Sequence, residues 1–138
     1  MAESNKLQLD LVTPHRAMLS TPADEVQAPG ILGSFGVRLG HAAFLTELGG
    51  GVLTLINDGK SDHYAVAGGF CEVAENRVTV LADFAEHTNS IDPVQAQKDL
   101  DAAHERMKEA ASKDEHAFRR EQAAVRNAAA RVAASRLR

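Results

Sequence analysis

Glycine and proline are confined to the first two thirds of this chain, and this partition most constrains what the chain can fold into. All ten glycines precede residue 70, and neither glycine nor proline occurs after Pro93. Alanine has the opposite bias and supplies 13 of the 51 residues from 88 to 138. Because glycine and proline mark turns whereas alanine favours helices, two structural regimes share the chain.

Short runs separated by turn residues predict β-strands in the first regime. Residues 6–12 alternate polar and apolar side chains, as in a strand with one buried face. Asn57-Asp58-Gly59 and Glu75-Asn76 are typical of hairpin turns. Further strands are predicted over residues 51–56, 63–67, 70–73 and 77–82. Such spacing favours an antiparallel sandwich or barrel.

The second regime predicts a helical hairpin. Asp92 is a suitable N-cap, Pro93 suits the first helical position, and Gln95 stands where a capping box requires it. Residues 112–116 interrupt the helical spacing, and a final helix is predicted over 117–138. The apolar stripes comprise Ala96, Leu100, Ala103, Met107 and Ala110, then Phe118, Gln122, Val125, Ala129 and Val132. A buried methyl stabilises by about 0.8 kcal/mol against about 1.5–3 for leucine, so this hairpin is predicted to be weakly held.

We therefore predict an α+β fold with two domains. An N-terminal antiparallel β-sandwich covers residues 1–87, and a C-terminal two-helix hairpin covers residues 88–138. Composition excludes a secreted disulfide scaffold, since Cys71 has no second cysteine with which to pair. The longest apolar runs fall short of the roughly 20 residues that a membrane span needs. We also expect no signal or transit segment before the first strand.

Catalytic and metal-site motifs are missing from the sequence. Gly59-Lys60-Ser61 resembles the end of a P-loop, but Thr54 stands where that motif needs glycine. The triple glycine at 49–51 precedes a strand, so we interpret it as backbone freedom at a tight bend. The histidines at 15, 41, 63, 87, 104 and 116 lack metal-ligand spacing and are expected to be scattered on the surface. No enzymatic activity and no metal are predicted.

Charge differs between the two regimes. The whole chain has a net charge of −4, with −6 in residues 1–87 and +2 in residues 88–138. Six arginines and one acid follow residue 116. This pattern is compatible with a solvated helix face or with docking on an acidic protein surface, whereas nucleic-acid binding is disfavoured because no aromatic residues are interleaved with the arginines.

Several stretches together resemble the ε subunit of F-type ATP synthases. The first is Gly33-Ser-Phe-Gly-Val-Arg-Leu-Gly-His-Ala-Ala-Phe-Leu-Thr46, and the second is Val66-Ala-Gly-Gly-Phe-Cys-Glu-Val73. Val12-Thr13-Pro14 matches near the start, and Val78-Thr-Val-Leu-Ala-Asp83 with Ala85-Glu86 matches after the second stretch. With the hairpin included, the resemblance covers nearly the whole chain.

The resemblance implies a non-catalytic rotor subunit. In that family the sandwich holds the γ subunit and rests on the ring of c subunits, on the cytoplasmic face of the bacterial inner membrane. The implied ring-side residues here are Ser34, Arg38 and His41. Ser34 replaces a glutamate that the family often presents, and Leu39 and Ala43 replace two prolines. A chloroplast-encoded relative is a second possibility, and a mitochondrial one is disfavoured because a targeting segment would precede the strands.

The hairpin is implied to extend along γ into the α/β catalytic hexamer and to block ATP hydrolysis. Its inhibitory face would then present Arg119, Arg120, Arg126 and Arg131 to acidic surfaces. The rival interpretation is a free-standing β-sandwich binding module whose helical tail forms oligomers.

Some bacterial relatives bind ATP through an Ile-Asp-x-x-Arg-Ala motif at the start of the hairpin. The matching residues here that would bind are Glu86, Asp92 and Arg131, with Ile91 and Ala96 also conforming to the pattern. Gln95 replaces the arginine that would contact phosphate, and an amide brings neither charge nor a bidentate fork. We therefore expect no resident cofactor and only weak ATP binding.

Overall fold

Turn chemistry divides residues 5–87 into strands. The computed structural model describes residues 5–137, which form eight strands, one 3-10 turn and two α-helices. The strands are β1 (Leu7–Val12), β2 (Ala17–Ala23), β3 (Glu25–Gly30), β4 (Gly33–Arg38), β5 (Phe44–Glu47), β6 (Gly50–Asn57), β7 (Lys60–Ala74) and β8 (Arg77–His87). The 3-10 turn (Thr88–Ser90) leads to α1 (Pro93–Ala111) and α2 (Glu115–Ser135).

The strands pair in the order β2-β1-β8-β7-β6-β3-β4, with β5 joined to β7. The ladders between these strands are antiparallel except that β1 and β8 run parallel. Alternate β1 side chains, Leu7, Leu9 and Leu11, point into an aliphatic core shared with Val26, Val37, Leu53, Val66 and Val80. The predicted β-sandwich followed by two helices is thereby confirmed, with one parallel pair that the periodicity did not indicate.

Both predicted hairpin turns are present. Asp58-Gly59 joins β6 to β7, and Glu75-Asn76 joins β7 to β8. All four residues have positive φ, between 51° and 78°, as two-residue loops of the primed type require. The strands β2 to β5, in contrast, were not predicted by periodicity, because Pro22, Pro29 and several glycines interrupt the alternation there.

The runs 63–67 and 70–73 were predicted as separate strands, but they belong to one long strand. β7 continues through Gly68 and Gly69, whose φ angles are +71° and +98°. Before this point β7 pairs with β6, and after it β7 pairs with β5. A side chain at Gly69 would overlap the carbonyl of Leu81 on the neighbouring strand. The glycine pair therefore allows one strand to serve both parts of the sandwich.

Capping side chains set the ends of the helices. The Asp92 carboxylate accepts hydrogen bonds from the backbone N–H of Val94 at 3.0 Å and of Gln95 at 3.3 Å. The predicted capping box is incomplete, since the Gln95 amide bonds Asp99 instead of returning to the cap. Asp114 accepts from the backbone N–H of Ala117, so α2 begins at residue 115, two residues before the predicted start.

The two predicted helix stripes have different outcomes. In α1, Ala96, Ala103 and Ala110 are buried, as the spacing predicted. The α2 stripe is wrong in part, because Gln122 and Ala129 are exposed. In α2 the buried residues are instead Ala128, Ala130, Val132, Ala134 and Ser135. The difference arises because the end of α2 contacts both α1 and the sheet, so more than one stripe is covered.

Small side chains join the hairpin to the sandwich. Ala65 of β7 packs with Ile91, Ala130 and Ala134, and Val52 and Phe84 border this cluster. The buried hydroxyl of Thr88 donates a hydrogen bond to the carbonyl of Ala134. The hairpin is thus folded against the outer face of β6 and β7, with the last turn of α2 returning to the segment that precedes α1.

Candidate functional site

An ion-pair cluster joins the sandwich to both helices. The Arg131 guanidinium donates from Nε to Oε1 of Glu86 at 2.8 Å and from Nη1 to Oδ2 of Asp99 at 3.0 Å. The side-chain amide of Gln95 donates a hydrogen bond from Nε2 to the other carboxylate oxygen of Asp99, Oδ1, at 2.8 Å. Partial burial disfavours the charge of Arg131, but the hydrogen bonds and charges of Glu86 and Asp99 outweigh it and raise its pKa. The cluster links β8, α1 and α2 through one side chain.

This cluster contains two of the three residues predicted for an ATP site. Glu86 and Arg131 are brought together, whereas Asp92 is engaged in capping α1. Asp99 was not predicted, although its position four residues after Gln95 places it on the same helix face. The guanidinium that would meet a phosphate already binds two carboxylates. A triphosphate would face the negative charges of Glu86 and Asp99, so the residues present do not fit it.

Substitution of Arg131 by glutamine should loosen the hairpin. The variant loses both ion pairs and leaves two partly buried carboxylates facing each other, which should weaken docking by about 1–2 kcal/mol. Hydrogen exchange at the α2 amides should then accelerate by roughly tenfold, whereas the β1 amides should be unchanged. Arg119→Gln is the matched control, since its partner Glu115 is exposed on the same helix. Equal exchange in both variants would contradict the assignment.

The four arginines predicted as an inhibitory face do not share one surface in this conformation. Arg119 and Arg120 are exposed, whereas Arg126 and Arg131 are half-buried. Arg126 lies against Gly50, where an added Cβ would stand 2.7 Å from its Cγ. A common exposed face would therefore require the hairpin to leave the sandwich.

The triple glycine at 49–51 has a different role from the one predicted. Positive φ is not found at any of its members, so the interpretation as backbone freedom is wrong. Space is the physical reason instead, because a Cβ at Gly51 would stand 2.9 Å from Pro29 Cβ, and Gly50 borders Arg126. Residue spacing alone could not reveal which neighbours approach these glycines.

The predicted ring-side residues lie at two ends of one strand. Ser34 is the second residue of β4, beside the β3–β4 turn, where Leu32 is 96% exposed. Arg38 ends β4 and pairs with Glu25 at 2.9 Å, and His41 follows with its Nδ1–H donating to the Ala42 carbonyl at 2.7 Å. Four residues of extended strand separate Ser34 from Arg38 by about 13 Å. The structure therefore does not gather the three residues into one contact point.

An exposed apolar patch lies on strands β5, β7 and β8 of the sandwich. It consists of Leu45, Phe70 and Leu81, which are 66%, 52% and 52% exposed. Phe70 pairs directly with Leu81 on β8 and with Glu47 on β5, so these side chains share one face. Sequence reasoning missed this patch. Strand alternation carried the signal, because Val78 and Val80 point inward and Leu81 therefore points outward.

The histidines, expected to be scattered on the surface, and the single cysteine lie in different surroundings. His87 and His63 are half-buried and partnered rather than simply scattered on the surface. His87 Nε2–H donates to Asp62 at 2.6 Å, while Nδ1 accepts from the Asn89 backbone N–H. Burial raises the pKa of the Cys71 thiol to about 11, which keeps it neutral.

Residues 5–137 hold neither a side-chain cluster that could bind a metal ion nor a helix that could cross a membrane. That range contains no group of three or more histidine, cysteine, aspartate or glutamate side chains arranged to hold a metal ion. Neither α1 nor α2 is long and apolar enough to cross a membrane.

Comparison with known proteins gives concordant matches. The family model for the ATP synthase delta/epsilon chain, beta-sandwich domain, matches residues 6–88. The ATP synthase epsilon chain of Anaeromyxobacter sp. (strain K) is 49% identical over 126 residues, covering 91% of this chain and 95% of the relative. That of Myxococcus xanthus (strain DK1622) is 48% identical over 130 residues, covering 94% and 95%. A chain of the Euglena gracilis mitochondrial ATP synthase has a TM-score of 0.75 at 24% identity, covering 91% of this chain and 79% of that one, which shows a common fold.

Proposed function

Because this chain belongs to the family of ATP synthase epsilon chains, we propose that it is a non-catalytic subunit of the central stalk that couples rotation of the c-ring to γ during ATP synthesis. The observation that carries the proposal is the family match to the sandwich together with relatives aligned over more than nine tenths of the chain. We place it peripherally on the cytoplasmic face of a bacterial inner membrane, as one part of a rotor.

The apolar patch of Leu45, Phe70 and Leu81 is the proposed docking surface for γ. The hairpin covers the outer face of β6 and β7, so that face is not available to γ while the hairpin is docked. The patch residues stay exposed while the hairpin is docked, and Glu47 and Glu72 border them. Exposed apolar side chains with a polar rim are characteristic of protein interfaces.

The β3–β4 turn is the proposed contact with the c-ring. It projects the exposed Ile31 and Leu32, and Ser34 follows on β4. Arg38 and His41 were also predicted on the ring side, but they lie at the other end of β4, and Glu25 neutralises Arg38. The turn is therefore the part of the predicted ring-side set best suited to a close contact between proteins.

The hairpin is the proposed inhibitor of ATP hydrolysis, acting on the α/β hexamer after it leaves the sandwich. The small side chains at its interface support this, because Ala65, Ala130 and Ala134 contribute little burial energy. A modest energy gap between docked and extended forms lets a partner shift the population.

Add-back to a catalytic core depleted of this subunit tests the proposal. The full chain and a truncation ending at Asn89 should both bind, and the full chain alone should slow ATP hydrolysis. Equal inhibition by both would remove the hairpin from the mechanism while keeping the sandwich as a coupling element. Failure of the full chain to bind the core or isolated γ would overturn the stalk assignment.

ATP should not act as a strong ligand of this chain. Of the residues matched to the nucleotide motif, Arg131 alone is cationic, and it already binds Glu86 and Asp99. Loss of a charged phosphate contact costs about 2 kcal/mol or more, so we expect 1 mM MgATP to leave the melting temperature unchanged. A saturable rise of several degrees that Arg131→Gln abolishes would refute this expectation.

A further inference from the structure

Arg126 lies in a depression on the sheet, where two neighbouring glycines have no side chains. Gly50 and Gly68 form this depression, which we call the glycine slot. Gly50 pairs with Ala67, and the Gly68 backbone N–H donates to the Gly49 carbonyl, so the two glycines are neighbours across β6 and β7. At other positions on this face a Cβ would fill the space.

The Arg126 side chain passes along both glycines. A Cβ at Gly50 would stand 2.7 Å from Arg126 Cγ and 3.4 Å from its backbone carbonyl oxygen. A Cβ at Gly68 would stand 2.9 Å from Nη1 and 3.0 Å from Nη2. The carboxylate of Asp83 borders the same position. The aliphatic stem thus lies over Gly50, while the guanidinium lies over Gly68 beside a negative charge.

We infer that insertion of Arg126 into the glycine slot is the contact that controls release of the hairpin. The crowded atom at Gly50 is Arg126 Cγ, which is bonded directly to Cβ and moves only if χ1 changes or α2 shifts, whereas the Arg126 carbonyl oxygen is at ordinary contact distance. A methyl group at position 50 would therefore force the Arg126 side chain out of the slot or displace α2. Four of the six buried residues at this interface are alanine, so their burial compensates for the displacement only in part.

Arg126 cannot lie in the glycine slot and contact another protein at the same time. While the guanidinium lies over Gly68 it is half-buried and cannot bind another protein surface. On the proposed function, the same arginine would meet the catalytic hexamer only after the hairpin is released. Docking on the sandwich and inhibition of hydrolysis would then compete for one side chain.

Hydrogen exchange of the full chain tests the inference. Gly50→Ala should accelerate exchange of the α2 amides by at least tenfold and leave the β1 amides unchanged. Gly49→Ala is the matched control, since its Cβ would make only ordinary contacts of 3.5 Å or more. In an Arg126→Ala background, Gly50→Ala should have little further effect, because Cγ is gone. Equal exchange in Gly50→Ala and Gly49→Ala, or an undiminished effect in the double variant, overturns the inference.

If Gly50→Ala also destabilises the sandwich, a second pair of variants tests the inference without a change at position 50. Arg126→Ala should accelerate α2 exchange at least fivefold, whereas Arg119→Ala should not. No difference between those two variants overturns the inference without reference to Gly50. Exchange is measured on the isolated chain, so its result does not depend on whether the chain is a stalk subunit. Conversely, if Arg126 does not control release of the hairpin, binding of the sandwich to γ is unaffected.

Discussion

Gly69→Ala is expected to lower the free energy of unfolding by at least about 3 kcal/mol. Gly69 has a φ of +98°, which an L-residue adopts only with strain of about 1–2 kcal/mol or more. In addition, its Cβ would overlap the backbone carbonyl of Leu81, which the β7–β8 ladder holds in place. Relief of that overlap would require the two longest strands to separate at the point where β7 bends.

Chemical denaturation followed by circular dichroism measures this effect. Gly36→Ala is the control, because Gly36 also lies in a strand, has no positive φ, and its Cβ would stand 3.5 Å from Glu25 Oε2. The control should change the unfolding free energy by less than about 1 kcal/mol. If the two variants proved equally stable, the bend at Gly68-Gly69 would not need glycine.

Phe70→Asp is expected to weaken binding to γ by about 100-fold or more while the sandwich remains folded. Phe70 is half-exposed at the centre of the apolar patch, between Leu81 and Glu47. An aspartate there would lose the aromatic contact and bring a third acid to a face that already carries Glu47 and Glu72. Removal of a central aromatic residue from an interface costs more than 2 kcal/mol, to which the desolvation of the new carboxylate adds.

Titration calorimetry with γ, or with a catalytic core that lacks this subunit, measures the affinity. Val94→Asp on α1 is the matched control, since Val94 is also an exposed aliphatic residue but lies outside the patch. The control should bind as the unchanged chain does. An affinity retained by Phe70→Asp would mean that γ docks on another face.

Local chemistry made much of the fold predictable. The alternation of residues 6–12, the turns at Asp58-Gly59 and Glu75-Asn76, and the Asp92 cap all act within a few residues of their position. Each therefore leaves a signal that a single sequence carries. The same holds for the alanine stripe of α1, which faces one partner.

The remaining features depend on contacts between distant segments. The continuity of β7 through Gly68 depends on β5, β6 and β8, and the burial of α2 depends on the sheet beneath it. Arg126 and Gly50 lie 76 positions apart, so no periodicity connects them. Arg131 and Glu86 were paired only through the family resemblance, and Asp99 was missed because helix spacing does not specify which cation a carboxylate meets.

The parallel pairing of β1 with β8 affects the order in which the chain acquires structure during synthesis. Leu9 pairs with Val78, so the first strand gains this neighbour only after 69 further residues have been made. At roughly 5–20 residues per second, that interval is about 3–14 s. Until then β1 has a hydrogen-bonded neighbour, β2, along only one of its two edges. A chain that ends before residue 77 would therefore leave one edge of β1 unpaired, whereas a chain that extends past residue 87 contains every strand of the sandwich.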